Sequence, residues 1–272
     1  LTRRVTLMSV ATAAILVSIK MAAWLASGST ALLASMADSG LDLVASLVTF
    51  FAVRYAAVPP DAEHRFGHGK AEAFASLVQG GLVFASAALI AREAVGDFLA
   101  PHPLRQEGWA VAVMAVSTVL TVMLLRAQTL VLRQTSSVAV SGDRAHYASD
   151  LASNIIALIG IAASAWLGVN GLDAAAAMVV AALLLWGAVG VFREASSQLM
   201  DQELSDEARA KIVALTVADG RLANVHQLRT RASGPYIHMQ MHVDLDPDIT
   251  LEAAHQAIVA AETRILKAFP AA

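Results

Sequence analysis

The sequence predicts an α-helical membrane protein with six transmembrane helices, followed by a small α/β domain of α-β-β-α order. Three observations carry that expectation. The 272 residues are 57% hydrophobic and only 15% charged, with a mean hydropathy of +0.61, more apolar than an ordinary soluble domain of this size. Apolar runs of roughly 20 residues, the length that crosses a hydrocarbon core, recur along the first 200 positions. After about residue 200 the pattern changes to capped, amphipathic and alternating segments.

The apolar runs cover 6–27, 31–55, 73–93, 109–126, 143–168 and 172–193. Short Gly, Ser, Asn and Pro segments separate them: SGST at 27–30, VPPDAEHRFGHGK at 58–70 and GVNGLD at 168–173. Ala, Gly and Ser are abundant inside the runs, which suits close packing of helices in lipid. Arg3, Arg4, Arg54, Arg65, Lys70, Arg126, Arg133 and Arg193 fall on the side shared by both termini, whereas the loops at 27–30 and 168–173 carry no basic residue and the loop near 94–108 only Arg105. Basic residues favour the cytoplasmic side, so both termini are expected there, in a multi-pass protein whose first partner is membrane lipid. Lys20, inside the first run, is expected to snorkel or to pair with an acidic group and is assigned no transport role. His102 lies in a Pro-flanked outer loop and is expected to be surface.

Beyond the last run, residues 205–218 read as a helix with a Ser N-cap and acidic first turn. NVHQLRTRAS and YIHMQMHVDLD read as two strands around Ser233-Gly234. In the second strand Ile237, Met239, Met241, Val243 and Leu245 alternate with Tyr236, His238, Gln240, His242 and Asp244. From Thr250 onward, Leu251, Ala254, Ile258, Ala261 and Ile265 return to helical spacing. Residues 1–199 are thus expected to form the transmembrane domain and 200–272 a cytoplasmic domain.

Composition also excludes several classes. A net charge of -3 gives no basis for a nucleic-acid partner, and the absence of cysteine excludes disulfides, thiolate metal sites and a cysteine nucleophile. Any metal must be held by nitrogen and oxygen.

Such ligands occur in pairs. DSGLD in the second run places Asp38 and Asp42 four residues apart, and HYASD in the fifth does the same for His146 and Asp150. Positions i and i+4 lie one above the other on a helix, so each helix offers two ligands to one side. One imidazole with three carboxylates suits zinc and its first-row neighbours better than calcium or magnesium. These groups bind protons as well as metal, so metal entry should expel protons, with His146 the natural switch near neutral pH. Asp61, His64 and His68 form a second cluster between the second and third runs, with D-x-x-H-x-x-x-H spacing that can close around one ion. His226, His238, His242 and His255 mark the last domain, where spacing alone leaves metal binding and polar surface equally open.

Asp38-x-x-x-Asp42, HRFGHGK at 64–70, His146-x-x-x-Asp150 and LRTRASGP at 228–235, taken in order, resemble the cation diffusion facilitator family, specifically its bacterial zinc/proton antiporters. The resemblance covers nearly the whole chain. It implies a homodimer in the bacterial inner membrane that expels divalent cations from the cytosol in exchange for protons by alternating access. It further implies a tetrahedral transport site at Asp38, Asp42, His146 and Asp150, a loop zinc site at Asp61, His64 and His68, and a copper-chaperone-like cytoplasmic domain. There His226, His242 and His255 match positions that bind a zinc pair, and Lys70 and Asp201 match a hinge salt bridge. The family pattern continues into a third strand with further His and Asp ligands, whereas this sequence reads FPAA at 269–272; His238 has no counterpart in the pattern. Two rivals are a membrane metalloenzyme, for which four protein ligands leave no open position, and a metal-gated channel, which would move cations without opposing protons.

Overall fold

The protein is described from a computed structural model covering residues 1–27, 30–99, 108–167 and 172–272. His102 and Arg105 lie outside the described residues. Six long helices come first: α1 (Thr2–Ser27), α2 (Thr30–Ala56), α3 (Lys70–Leu99), α4 (Gly108–Leu132), α5 (Val138–Leu167) and α6 (Leu172–Leu199). Among the described residues five of them, all but α5, are apolar and long enough to cross a membrane. The first half of α5 carries Asp143, Arg144, His146 and Asp150, which dilute its apolar character without shortening it below 30 residues.

Several helices outrun their apolar cores. Arg126 and Gln128 carry α4 on to Leu132, and Arg193, Glu194 and Gln198 carry α6 to Leu199. Long polar side chains are good helix formers, so the helix persists where hydrophobicity stops.

Burial in the bundle is inverted relative to a soluble protein. Its interior holds Ala13, Ala45, Ala75, Ala87 and Ala188 together with Ser9, Ser46, Thr49, Ser76, Gln79 and Gln128. Its exterior displays Leu41, Phe51, Phe84, Met123, Leu183 and Trp186. Lipid tails are as apolar as leucine, so large apolar groups gain nothing by facing inward, and small residues let backbones approach. Gly142 makes that approach literal: a Cβ there would stand 2.9 Å from Ser76 Oγ and 3.1 Å from Ser76 Cα, where α5 meets α3.

The remaining chain forms α7 (Asp206–Thr216), β1 (Asn224–Ser233), β2 (Tyr236–Asp244) and α8 (Leu251–Ala268). Ser205 caps α7 by accepting from Ala208 N, and Thr250 caps α8 by accepting from Ala253 N. The strands pair antiparallel across Gly234-Pro235, with Ser233 opposite Tyr236. Between His226 and Arg229 the register shifts by one residue, and Gln227 there adopts a left-handed φ of 51°. That bulge sets His226 opposite His242; an unbroken register from Arg229–Gln240 would have put Gln227 there instead. Leu222, Ala257 and Ala261, with Val243, Leu245 and Ile258, form the core under α8.

A junction joins this unit to the helices. At the end of α6, Asp201 has φ 55°, and Gln202 N donates to Ser197 O at 2.8 Å, the bonding of a left-handed helix cap. Its carboxylate there meets Lys70 Nζ at 3.0 Å and Arg231 Nη1 at 3.2 Å. A Cβ on Gly69 would fall 2.0 Å from Ser233 O, so the 58–70 loop touches the hairpin turn backbone to backbone.

Candidate metal centres

The first centre lies between α2 and α5. His146 Nε2 stands 3.0 Å from Asp42 Oδ1 and 3.7 Å from Asp150 Oδ2, and the three residues can offer ligand atoms within 4.8 Å of one another. His146 is buried, and Asp42 and Asp150 are half-buried. The i, i+4 spacing on α5 and the facing turn of α2 are what bring them together. Asp38 stands outside this cluster, exposed one turn earlier on α2.

Three residues beyond the cluster's own reach complete its surroundings. Asp143, one turn before His146 and fully buried, accepts from Gln79 Nε2 at 3.2 Å and from Gln128 Nε2 at 2.8 Å. Gln79 Nε2 shares its two N–H groups among Asp143 and two acceptors on α2, Thr49 Oγ1 at 2.9 Å and Ala45 O at 3.2 Å, and Gln128 donates to Ser9 Oγ at 3.2 Å on α1. A single carboxylate on α5 thereby ties together α1, α2, α3 and α4. Spacing arguments overlook Asp143 because it has no i+4 partner; the signal that finds it is an ionisable residue inside an apolar run. Tyr147 adds a second tie, bonding Ser46 Oγ at 2.8 Å and donating to Ser9 O at 3.3 Å.

Lys20 behaves differently from the sequence expectation. Among the described residues it bonds no carboxylate and turns inward: its ammonium donates to Ser39 Oγ at 2.6 Å and Ser35 O at 3.2 Å, both on α2.

The second centre is the loop cluster. Asp61 Oδ1 lies 3.5 Å from His64 Nδ1, and Asp61 Oδ2 lies 3.3 Å from His68 Nε2. The backbone N–H of His64, at 2.6 Å, and that of Glu63, at 2.9 Å, donate to Asp61. The His64 amide foremost holds the Asp61 carboxyl below the usual carboxylate range. His68 Nδ1 faces Val58 O at 3.3 Å, an outer contact that leaves Nε2 free to coordinate. Two imidazole nitrogens and a carboxylate so arranged fit a zinc-like ion.

In the C-terminal unit the expected trio does not assemble among the described residues. His226 and His242 face each other with ring centroids 5.5 Å apart, and Asp244 Oδ2 lies 3.6 Å from His226 Nδ1. His255 is exposed on α8, off the stripe of Ala254, Ala257, Ala261 and Ile265 that packs inward, and among the described residues it joins no ligand cluster. The residues present offer a ligand pair and a nearby carboxylate rather than a closed site. His238 is packed edge-on against Phe66 at 5.9 Å, while Arg231 lies 4.5 Å over the same ring. Burial first, and Arg231 second, lower the His238 pKa.

Carboxylate and imidazole donors converging from two helices of a lipid-facing bundle, with a small α/β unit attached, define a membrane transporter of metal cations. Residues 6–200 match the cation efflux transmembrane domain and residues 204–272 the cation efflux protein cytoplasmic domain. The chain belongs to this family, the cation diffusion facilitators, and is a multi-pass cation transporter rather than an enzyme. It is 37% identical over 263 residues to the cation-efflux pump FieF of Shewanella oneidensis, covering 96% of this chain and 88% of that protein. It is likewise 37% identical over 272 residues to FieF of Serratia proteamaculans, covering 100% of this chain and 90% of the relative. FieF of Klebsiella pneumoniae is 36% identical over 270 residues, with 99% and 90% covered.

Proposed function

We propose that this chain exports zinc, with cadmium and iron as chemically similar substrates, from the cytosol of a bacterium across its inner membrane in exchange for protons. The observation that supports this reading is the approach of Asp42, His146 and Asp150 from two helices inside the bundle. In the cytoplasm-facing state these ligands capture the ion deprotonated, and Asp38, one turn away on α2, swings in as the fourth. Rocking of the helices then opens the site outward, where protons compete for the same oxygens and nitrogen and release the metal. Either metal or protons neutralise the carboxylates, whereas a site holding neither keeps net negative charge in the membrane and crosses slowly. Residues 1–199 act as the transport domain and 200–272 as the cytoplasmic domain through which two copies form a homodimer, both termini remaining in the cytoplasm. The loop residues Asp61, His64 and His68 hold a resident zinc ion that orders the 58–70 loop, and Lys70 with Asp201 forms the hinge bridge.

The test is zinc flux in proteoliposomes that trap a zinc dye and a pH dye. Wild type should move zinc inward and protons outward together, and Asp150→Ala should lower the zinc rate by at least tenfold, as expected for loss of one of four ligands. Zinc movement without opposing protons would make the protein a channel; a wild-type rate in Asp150→Ala would remove His146 and Asp150 from transport.

A further inference from the structure

Lys20 is the one ionisable residue in the first apolar run that the proposed exchange does not use. Its place is specific. Ser35, Ser39 and Asp42 lie at i, i+4 and i+7 on α2, so they share one helical face. The ammonium donates to Ser35 O at 3.2 Å and to Ser39 Oγ at 2.6 Å, one turn before Asp42 on that face. Ser39 is fully buried, and Ser39 and Asp38 are neighbours in sequence. Among the described residues the two direct partners of Lys20 are neutral oxygens, so the ammonium is held one turn from Asp42 without bonding a carboxylate.

We propose that Lys20 is a resident counter-charge of the transport site, which sets the site to prefer a divalent cation and lets the loaded site cross. The inference rests on the transport-site reading above. Asp38, Asp42 and Asp150 bring three negative charges when ionised. A divalent ion cancels two, and the fixed ammonium cancels the third, so the loaded set is neutral in the low-dielectric bundle, where a residual charge is costly. Without Lys20 the loaded site keeps one negative charge. It then holds a divalent ion more tightly and passes it on more slowly. Ser39 is the tether that keeps the ammonium from competing with the metal for Asp42.

The experiment is zinc uptake by the full chain in proteoliposomes, with KM and Vmax determined separately for Lys20→Met, Lys20→Arg, Ser39→Ala and Asp150→Ala, each checked for folding by size-exclusion chromatography. Lys20→Met should lower KM and Vmax together, each by roughly tenfold, since both reflect one uncompensated charge at short range. Lys20→Arg, which keeps the charge, should stay within about threefold of wild type in both. Ser39→Ala should raise KM by roughly threefold or more, as the freed ammonium turns to Asp42. An unchanged KM in Lys20→Met, or equal losses in the Met and Arg variants, would overturn the inference and leave Lys20 a packing residue. Should Lys20→Met fail to fold, Ser39→Ala decides alone, and an unchanged KM there overturns it. Asp150→Ala separates the two readings: if it transports normally, the transport site itself is wrong; if it is inactive while Lys20→Met matches wild type, only the role of Lys20 falls.

Discussion

Asp201 is a residue whose backbone and side chain do separate jobs. Its φ of 55° closes α6, a conformation that Asp and Asn tolerate better than other residues with a Cβ. Its carboxylate bridges Lys70 and Arg231. Partial desolvation pushes its pKa up, but Lys70 and then Arg231 outweigh that, and the net result is a pKa below the usual carboxylate value. A folded-state pKa below the unfolded one means that the bridge stabilises above the unfolded value of about 4 and is lost as pH falls through the lower folded value. Asp201→Asn keeps the turn and removes only the charge. Its melting temperature should therefore sit slightly below wild type by a constant margin from pH 7 to 5, corresponding to less than about 1 kcal/mol for so exposed a pair. The margin should close below about pH 3. A gap that persists in acid would assign the effect to the turn. At this scale the sequence was most readable where ligands repeat at four-residue intervals, as in Asp42, His146 and Asp150. It was least readable where a side chain's partner comes from another helix: neither the amide clamp of Gln79 and Gln128 on Asp143 nor the serine seat of Lys20 has a local pattern. Spacing also could not say that Asp38 would lie apart from its own i+4 partner, or that His238 would meet Phe66.

Among the elements, helix existence followed from apolar length, while helix ends did not, because Arg, Gln and Glu continue a helix as readily as Leu does. The hairpin was legible to the residue at Ser233 and Tyr236, but the bulge at Gln227 was not, since nothing in NVHQLRT requires a left-handed glutamine. That bulge decides which histidine faces His242. The junction between the 58–70 loop and the hairpin turn is equally a matter of three dimensions. Gly69 there has no room for a methyl group against Ser233 O, and Gly234, at φ 56°, would meet Gly69 O at 2.4 Å if it carried one. Gly69→Ala must push the loop off the turn. We expect a loss of about 1–3 kcal/mol, typical of overpacking, read as a lower melting temperature. The strain should also loosen Phe66 from His238, read as faster proteolysis at the 58–70 loop; unchanged melting and cleavage would mean that the two elements part freely.

For the whole molecule, the hairpin offers His226 and His242, with Asp244 nearby, as an open site among the described residues, which a ligand from a second copy would close if metal is to bind there. Cysteines introduced at exposed positions of α8 in the full chain should crosslink between copies faster with zinc than without, by about tenfold if zinc draws the domains together. A rate indifferent to zinc would make this unit a scaffold. The inverted burial of the bundle has a different kind of consequence. Outward positions such as Leu41, Phe84 and Leu183 are exposed on the bundle, where fluid hydrocarbon accepts any apolar shape, whereas Gly142 and Ser76 press closely on one another. The exterior is therefore free to drift among Leu, Ile, Val, Phe and Met over evolutionary time. The interior, built of the smallest residues, can change almost nowhere without growing, so the history of this protein will be written mainly on its outward apolar surface.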